Sequence, residues 1–313
     1  MKIAAFEVRP DEKTSFARWA KVYHADVTEY SEVPSLENAS LAAGCVGVTF
    51  LGQGKINREL LAEYKKLGVK CVSTRTIGSD HIDLEAAKEL GILVCNANYA
   101  PDSVADFTIM MMLMCLRQYK QAFWRGYVND FSLAGLEGRN LSAMTVGVMG
   151  TGRIGQRVIR DLTGFGCRIL AYDVYQNAEV AKLAEYVDLD TLWARSDVIF
   201  LHCPLFPETQ GIINRDTIEK MKAGVILINN SRGQLVVERD LADALNSGKV
   251  YAAGLDVVST EPIRGDNPLL RARNCIITPH ISWAARESRE RILDTTVENI
   301  RAFLDGSPVH VVN

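Results

Sequence analysis

Apolar positions in this chain come in short continuous runs, not in polar–apolar alternation. "KIAAFEV" (2–8), "CVGVTFL" (45–51), "KCVSTRT" (70–76) and "ILVCNA" (92–97) form a first set. "TVGVMG" (145–150), "RILAYD" (168–173), "VIFLHC" (198–203), "VILINNS" (225–231), "AAGLDVV" (252–258) and "CIITPH" (275–280) form a second. Runs that are apolar on both faces suit parallel strands covered by helices above and below. Helix-length segments separate them, so the pattern predicts ten strands in an α/β, doubly wound architecture.

Between the two sets, "NANYAPDSVADFTIMMMLMCLRQYKQAF" (96–123) opens with turn residues and continues as a long helix. Asp102 or Ser103 is the expected cap, just after Pro101. Its most apolar stretch, residues 107–116, has about half the length needed to cross a bilayer and reads as a buried helix. After the last run, "WAARESRERILDTTVENIRAFLDG" (283–306) is amphipathic, with Ile292, Val297, Ile300 and Phe303 at helical spacing. It is too short to be a domain and is expected to return to the first one. That gives a discontinuous first domain (1–100 and 284–313) and an inserted second domain (101–283), with hinges near 100 and 283 facing a cleft.

At 313 residues the chain has room for two cores. A net charge of −3 offers no basic field for nucleic acid or an anionic membrane surface. The start, "MKIAAFEVRPDEK", meets charges too early for a signal peptide and reads as a first strand. Seven cysteines are scattered through apolar runs with no C-x-x-C pair or zinc spacing. Buried thiols in a reducing cytoplasm, and no metal, are expected.

The richest segment is "TVGVMGTGRIGQRVIRDLTGFGCRILAYD" (145–173). A strand enters Gly150-x-Gly152-x-x-Gly155, then a helix, a second strand and Asp173 follow. Gly150 suits the tight turn, Gly152 the approach of a pyrophosphate, and Gly155 the close packing of helix on strand. The helix N-terminus offers N–H groups to phosphate. Asp173 would accept the ribose hydroxyls of NAD and repel a 2′-phosphate. Glycines alone often mark only turns; here the full strand–helix–strand–acid order is present. Arg153 is a candidate phosphate contact or a solvated side chain.

Later strand ends become polar. Arg232 follows one run, Asp256 and Glu261 lie at and beyond the next, and His280 ends the last. In open α/β sheets the carboxyl ends of strands face the ligand crevice, so Arg232, Glu261 and His280 are expected to converge on a nicotinamide.

The chain resembles the D-isomer-specific 2-hydroxyacid dehydrogenases over essentially its whole length. The motifs are "GTGRIG", "HCPLFPETQGIIN", "MKAGVILINNSRG", "LDVVSTEP" and "TPHISW", with "STRTIGSDHIDLEAAKELGILV" and "YAPDSVADF" earlier. The resemblance implies a Rossmann domain inserted into a flavodoxin-like one, NAD as cofactor, and a homodimer built along the inter-domain helix. It makes Arg232, Glu261 and His280 the catalytic trio. It extends the cofactor set to Ile154, His202, Pro204, Thr209 and Asp256, although Asp256 equally suits a turn anchor. It points to Ile77, Gly78, Tyr99 and Trp283 on the substrate side, where a core role for Trp283 is as natural. Phe50 and Leu51 carry the same two readings. Arg75 is a second cation beside the carboxylate loop or a surface or inter-domain residue.

The implied reaction is reduction of a small 2-oxo acid to the (R)-2-hydroxy acid. Arg232 would grip carboxylate and carbonyl, His280 would donate the proton, and Glu261 would orient the ring and favour its charged form. The amino-terminal half is similar to D-lactate dehydrogenases, and the carboxyl-terminal segment to hydroxypyruvate reductases. D-lactate, 2-hydroxyisocaproate, 2-hydroxyglutarate and D-glycerate stay open as products, with the lactate-like branch preferred on Tyr99 and the carboxylate loop. A dinucleotide-sensing corepressor on the same fold is the reading from another class.

Overall fold

Each of the ten apolar runs becomes a strand, and every strand pair is parallel. The computed structural model describes residues 1–313. These divide into two compact units, Met1–Ala100 with Ala285–Asn313, and Pro101–Ala284.

In the first unit β1 (Lys2–Ala5), β2 (Asp26–Glu29), β3 (Gly47–Phe50), β4 (Cys71–Thr74) and β5 (Leu93–Cys95) form one sheet in the order β2-β1-β3-β4-β5. This is the flavodoxin-like order. Helices α1 (Lys13–Val22), α2 (Arg58–Lys66) and α3 (Leu84–Glu89) connect the strands. Asn57 caps α2 through the Leu60 N–H (3.1 Å) and Asp83 caps α3 through Ala86 (2.9 Å), each contributing about 1 kcal/mol. The C-terminal helix, Arg286–Leu304, completes the layer. Its Leu293 and Val297 pack with Phe16 and Trp19 of α1, and the Trp19 indole N–H donates to Asp294 (3.1 Å). Ile300 lies against Gly47, where an added Cβ would sit 3.0 Å from its Cδ1. The last residues add to the edge, with the Val312 N–H donating to the Val94 carbonyl (2.9 Å).

Arg75 departs from these expectations. Its side chain is fully buried inside the first unit, donating to the carbonyls of Phe6 (2.8 Å) and Glu7 (3.0 Å) and facing Glu12 at 3.4 Å. It is a structural cation, neither a substrate contact nor a surface residue. Phe50 is likewise wholly buried, edge-on to the His81 ring.

The second unit holds β6 (Thr145–Met149), β7 (Arg168–Tyr172), β8 (Glu185–Tyr186), β9 (Val198–Leu201), β10 (Val225–Asn229), β11 (Val250–Leu255) and β12 (Cys275–Ile277), ordered β12-β11-β10-β9-β6-β7-β8. The strand order reverses beside β6 and β9, where open α/β sheets place their ligands. The helices are α4 (Asp102–Leu116), α5 (Tyr119–Tyr127), α6 (Arg153–Thr163), α7 (Ala178–Ala181), α8 (Leu189–Arg195), α9 (Arg215–Lys220) and α10 (Glu238–Ser247). Residues 107–116 are helical as expected, and α4 packs on α6, β10 and β11. The expected side-chain cap is absent. Pro101 takes the N-cap position and Asp102, the first helical residue, pairs with Arg157 (2.5 Å).

Two strands escape the apolar pattern. β2 ("DVTE") and β8 ("EY") are short, polar edge strands with little buried surface, so no run of apolar residues marks them. Helix α5 buries none of its residues. The thiols of all seven cysteines are free, six of them buried, and no helix is long and apolar enough to cross a membrane.

Candidate active site

His280 leaves β12 with φ +53°, in the left-handed region. A non-glycine residue there costs about 1 kcal/mol, so something must hold it. Asp256, just past β11 and 1 % exposed, does so. Its backbone carbonyl accepts the His280 N–H (2.9 Å). Its Oδ1 accepts the Thr278 hydroxyl (2.6 Å) and the Ile281 N–H (2.9 Å), and its Oδ2 accepts the Ser282 N–H (2.8 Å). The Trp283 indole N–H closes the same turn on the His280 carbonyl (2.8 Å). Asp256 therefore takes the turn-anchor role that its sequence context left open, and the polar atom of Trp283 serves the turn as well.

The ring is fixed from the other side. His280 Nδ1 lies 2.7 Å from Glu261 Oε2, and Glu261 Oε1 accepts the Val258 N–H (3.2 Å). With Nδ1 on the carboxylate, Nε2 is the nitrogen that can carry a transferable proton. The Glu261 hydrogen bond raises the His280 pKa above the ordinary 6.5, against the opposing effect of burial. The Glu261 and Asp256 charges add to the rise, and the Arg232 charge opposes it. For Glu261, burial would raise the pKa. The His280 hydrogen bond and charge, with smaller help from Val258 and Arg232, outweigh burial and hold the carboxyl below its usual range. Both side chains are over a third exposed, at 43 % and 39 %, so water screens the pair and the direction of the shift matters more than its energy.

Arg232 stands at the exit of β10. The Asn229 amide donates to its carbonyl (2.8 Å), and its own Nη1 donates to the Ser231 carbonyl (2.9 Å). Three strand ends thus bring a guanidinium, a carboxylate and an imidazole into mutual electrostatic reach, an arrangement able to hold an acid and exchange a proton with it.

The glycine segment behaves as its spacing requires. Gly150 has φ +97°, and a Cβ on it would sit 2.5 Å from the His202 backbone. A Cβ on Gly155 would be driven into the Gly150 carbonyl, whereas one on Gly152 would meet nothing within 4 Å. Gly152 is the N-cap of α6 and supplies no side chain to its N–H groups. Arg153 is exposed on the first turn, and Ile154 packs on the core below. Asp173 ends β7. Its Oδ2 accepts the Thr151 N–H (2.6 Å) and hydroxyl (3.2 Å) and its Oδ1 the Tyr175 N–H (3.1 Å), which leaves a lone pair on Oδ1.

Beside this turn His202 presents a buried Nε2 with no hydrogen-bond partner, and burial lowers its pKa to about 4. Open space, uncapped helix N–H groups, an acid and an unsatisfied ring nitrogen fit a dinucleotide. Pro204 and Thr209 close the turn after β9, where the Thr209 hydroxyl donates to the Pro204 carbonyl (2.8 Å) and accepts the Phe206 N–H (2.8 Å).

In the first unit, the carbonyls of the 77–78 loop are occupied. Asn96 donates to the Ile77 carbonyl (2.7 Å), and the Thr76 hydroxyl donates to that of Gly78 (2.6 Å). Tyr99 is 7 % exposed.

A dinucleotide cradle beside a histidine–carboxylate pair and an arginine defines a nicotinamide-dependent oxidoreductase. Residues 109–282 match the model of the D-isomer specific 2-hydroxyacid dehydrogenase NAD binding domain. The chain is 45 % identical to a hydroxypyruvate reductase of Blautia hydrogenotrophica, over 92 % of this chain and 91 % of that protein. It is 40 % identical to a D-specific alpha-keto acid dehydrogenase of Enterococcus faecalis, over 97 % and 96 %. The apo structure of D-lactate dehydrogenase from Escherichia coli superposes with a TM-score of 0.89 at 35 % identity, covering 100 % of both chains. The chain belongs to the D-isomer-specific 2-hydroxyacid dehydrogenase family and is an NAD-dependent enzyme.

Sequence reasoning passed over Glu238 and Gly233. Both contact residues within 258–267, a link between distant segments that carries no local signal.

Proposed function

We propose that the protein reduces a small 2-oxo acid to its (R)-2-hydroxy acid, with pyruvate-like substrates first. The observation that carries this reading is the 2.7 Å contact between His280 Nδ1 and Glu261, with the charge of Arg232 acting on both. NADH, when bound, supplies a hydride from nicotinamide C4 to the carbonyl carbon. The forked guanidinium of Arg232 holds the substrate carboxylate and carbonyl oxygen. As negative charge grows on that oxygen, His280 Nε2 delivers its proton there, and Glu261 stabilises the imidazolium beforehand and keeps the ring in line. In the oxidative direction neutral His280 takes the hydroxyl proton. Asp173, Gly152 and the N-terminal turn of α6 hold the dinucleotide, with His202 alongside. Ile77, Gly78 and Tyr99 are the proposed substrate residues of the first unit.

A second reading, reduction of hydroxypyruvate, is favoured by the 45 % identity to a hydroxypyruvate reductase. The test is NADH oxidation with pyruvate, hydroxypyruvate, 2-oxoisocaproate, 2-oxoglutarate and phenylpyruvate, with the product's chirality determined. A kcat/KM highest for pyruvate supports the first reading, and one highest for hydroxypyruvate the second. An (S) product overturns both.

We also infer a homodimer. Tyr119, Phe123 and Tyr127 recur at one-turn spacing along α5, and ring contacts of 5.7 and 5.0 Å join them in a row. With Trp124 and Phe131, 69 % and 87 % exposed, they make an apolar face suited to a second copy.

A further inference from the structure

Ser259, two residues before Glu261, is held at each of its polar groups by one short segment. Its N–H donates to Glu238 Oε1 (2.7 Å) and its hydroxyl to Glu238 Oε2 (2.8 Å). Its carbonyl accepts the Gln234 amide (3.0 Å). The same Glu238 Oε2 accepts the Asn267 amide (2.9 Å), so a single carboxylate anchors both ends of the excursion from 259 to 267 that carries Glu261. The backbones also touch directly. A Cβ on Gly233 would be driven into the Val258 carbonyl group and would lie 2.5 Å from the Ser259 nitrogen. Val258 is the residue whose N–H donates to Glu261 Oε1, and Gly233 directly follows Arg232.

Glu238 opens α10, a position where a negative charge is favourable for the helix alone. Its oxygens nevertheless bond to the 259–267 excursion, and no side chain caps α10. The structure assigns Glu238 a positioning role: by pinning Ser259 and Asn267, it sets the turn from which Glu261 reaches His280. This rests on the acid–base reading proposed above and deepens it, because Arg232 and Glu261 then belong to one braced assembly built by residues 232–238. A small displacement of a reacting group is enough to lose rate.

The test uses the full-length enzyme with NADH and its best 2-oxo acid. Glu238→Ala is expected to lower kcat about 10-fold with little change in the Kd for NADH. It should also move the alkaline limb of the reduction profile to lower pH, because a displaced Glu261 supports the imidazolium less. Glu238→Gln keeps an acceptor for the Ser259 N–H but sets its amide NH2 against that of Asn267, so it should restore part of both losses. A Glu238→Ala profile identical to the parent overturns the role, as does a Gln variant shifted as far as Ala, since charge alone then accounts for the effect. If Glu238→Ala does not fold, Ser259→Ala decides. It removes one of the three bonds, and a smaller shift in the same direction supports the role, whereas an unmoved limb overturns it. His280→Gln, run alongside, separates the two claims. Full activity there sinks the acid–base reading itself, while a disabled His280→Gln beside an unmoved Glu238→Ala sinks only the positioning role.

Discussion

The Asp256 carbonyl accepts the backbone N–H of His280 at 2.9 Å, while its carboxylate gathers the N–H groups of the two residues that follow. One buried aspartate thus bonds the histidine turn through both its backbone and its side chain, and the left-handed His280 backbone is sustained by those bonds. Asp256→Asn turns one acceptor oxygen into a donor facing a backbone N–H. Leaving such a group unpaired costs about 1–3 kcal/mol, and a kcat about 10-fold lower is expected as the imidazole moves. Urea denaturation and initial rates measure the two effects, and an unchanged kcat would separate the turn from the chemistry.

Replacing the imidazole is the more severe change. His280→Gln should reduce kcat by roughly 10²–10⁴, the usual contribution of a positioned acid–base group. NADH affinity, followed by fluorescence titration, should stay near that of the parent. Equal losses in both would contradict the assigned role.

Reduction requires the protonated ring, so its rate should be full at low pH and fall as pH rises through the His280 pKa. That pKa is raised, chiefly by the Glu261 hydrogen bond, so the fall lies above 6.5. Oxidation should show the mirror dependence. Glu261→Gln removes the largest supporting cause and leaves the opposing burial and Arg232 charge, so both limbs should move to lower pH. Limbs that stay in place would detach Glu261 from His280 in solution.

His202 predicts a separate acid sensitivity. Its folded pKa of about 4 lies below the unfolded value of 6.5. The unfolded chain therefore binds the extra proton between these values, and stability is lost as pH falls from 6.5 towards 4. The loss can reach about 3 kcal/mol. His202→Leu should flatten this part of the curve in urea melts at pH 7 and 5, and an equally steep loss in the variant would assign it to other groups.

For the exposed apolar residues of α5 and the segment after it, the variants Trp124→Glu and Phe131→Asp are expected to convert a dimer to a monomer in sedimentation experiments. Their fold should be unchanged by circular dichroism, because neither side chain is buried. A wild-type monomer at micromolar concentration would end the inference.

What could be read from the chain follows from where each residue's partners lie. The ten strands with continuous apolar runs are legible because both their faces are covered. β2 and β8 are not, because their residues are mostly exposed and bury too little to need an apolar run. Arg232, Glu261 and His280 are legible because each polar group follows an apolar run at the chemically rich end of the sheet. Arg75 is misleading for the opposite reason: it sits beside a recognisable loop, yet its carbonyl and carboxylate partners lie about seventy residues earlier. The Glu238 bonds to Ser259 and Asn267 span 21 and 29 residues, beyond the reach of any local pattern.

The first unit draws its sheet from residues near the amino terminus and a covering helix from near the carboxyl terminus, with Ile300 seated on Gly47. During synthesis, a nascent chain leaving the ribosome has the whole of the second unit available while β1 to β5 still lack that cover. The middle of the polypeptide can therefore mature ahead of its beginning. Until residues 286–304 have been made, one apolar side of the early sheet lacks its cover.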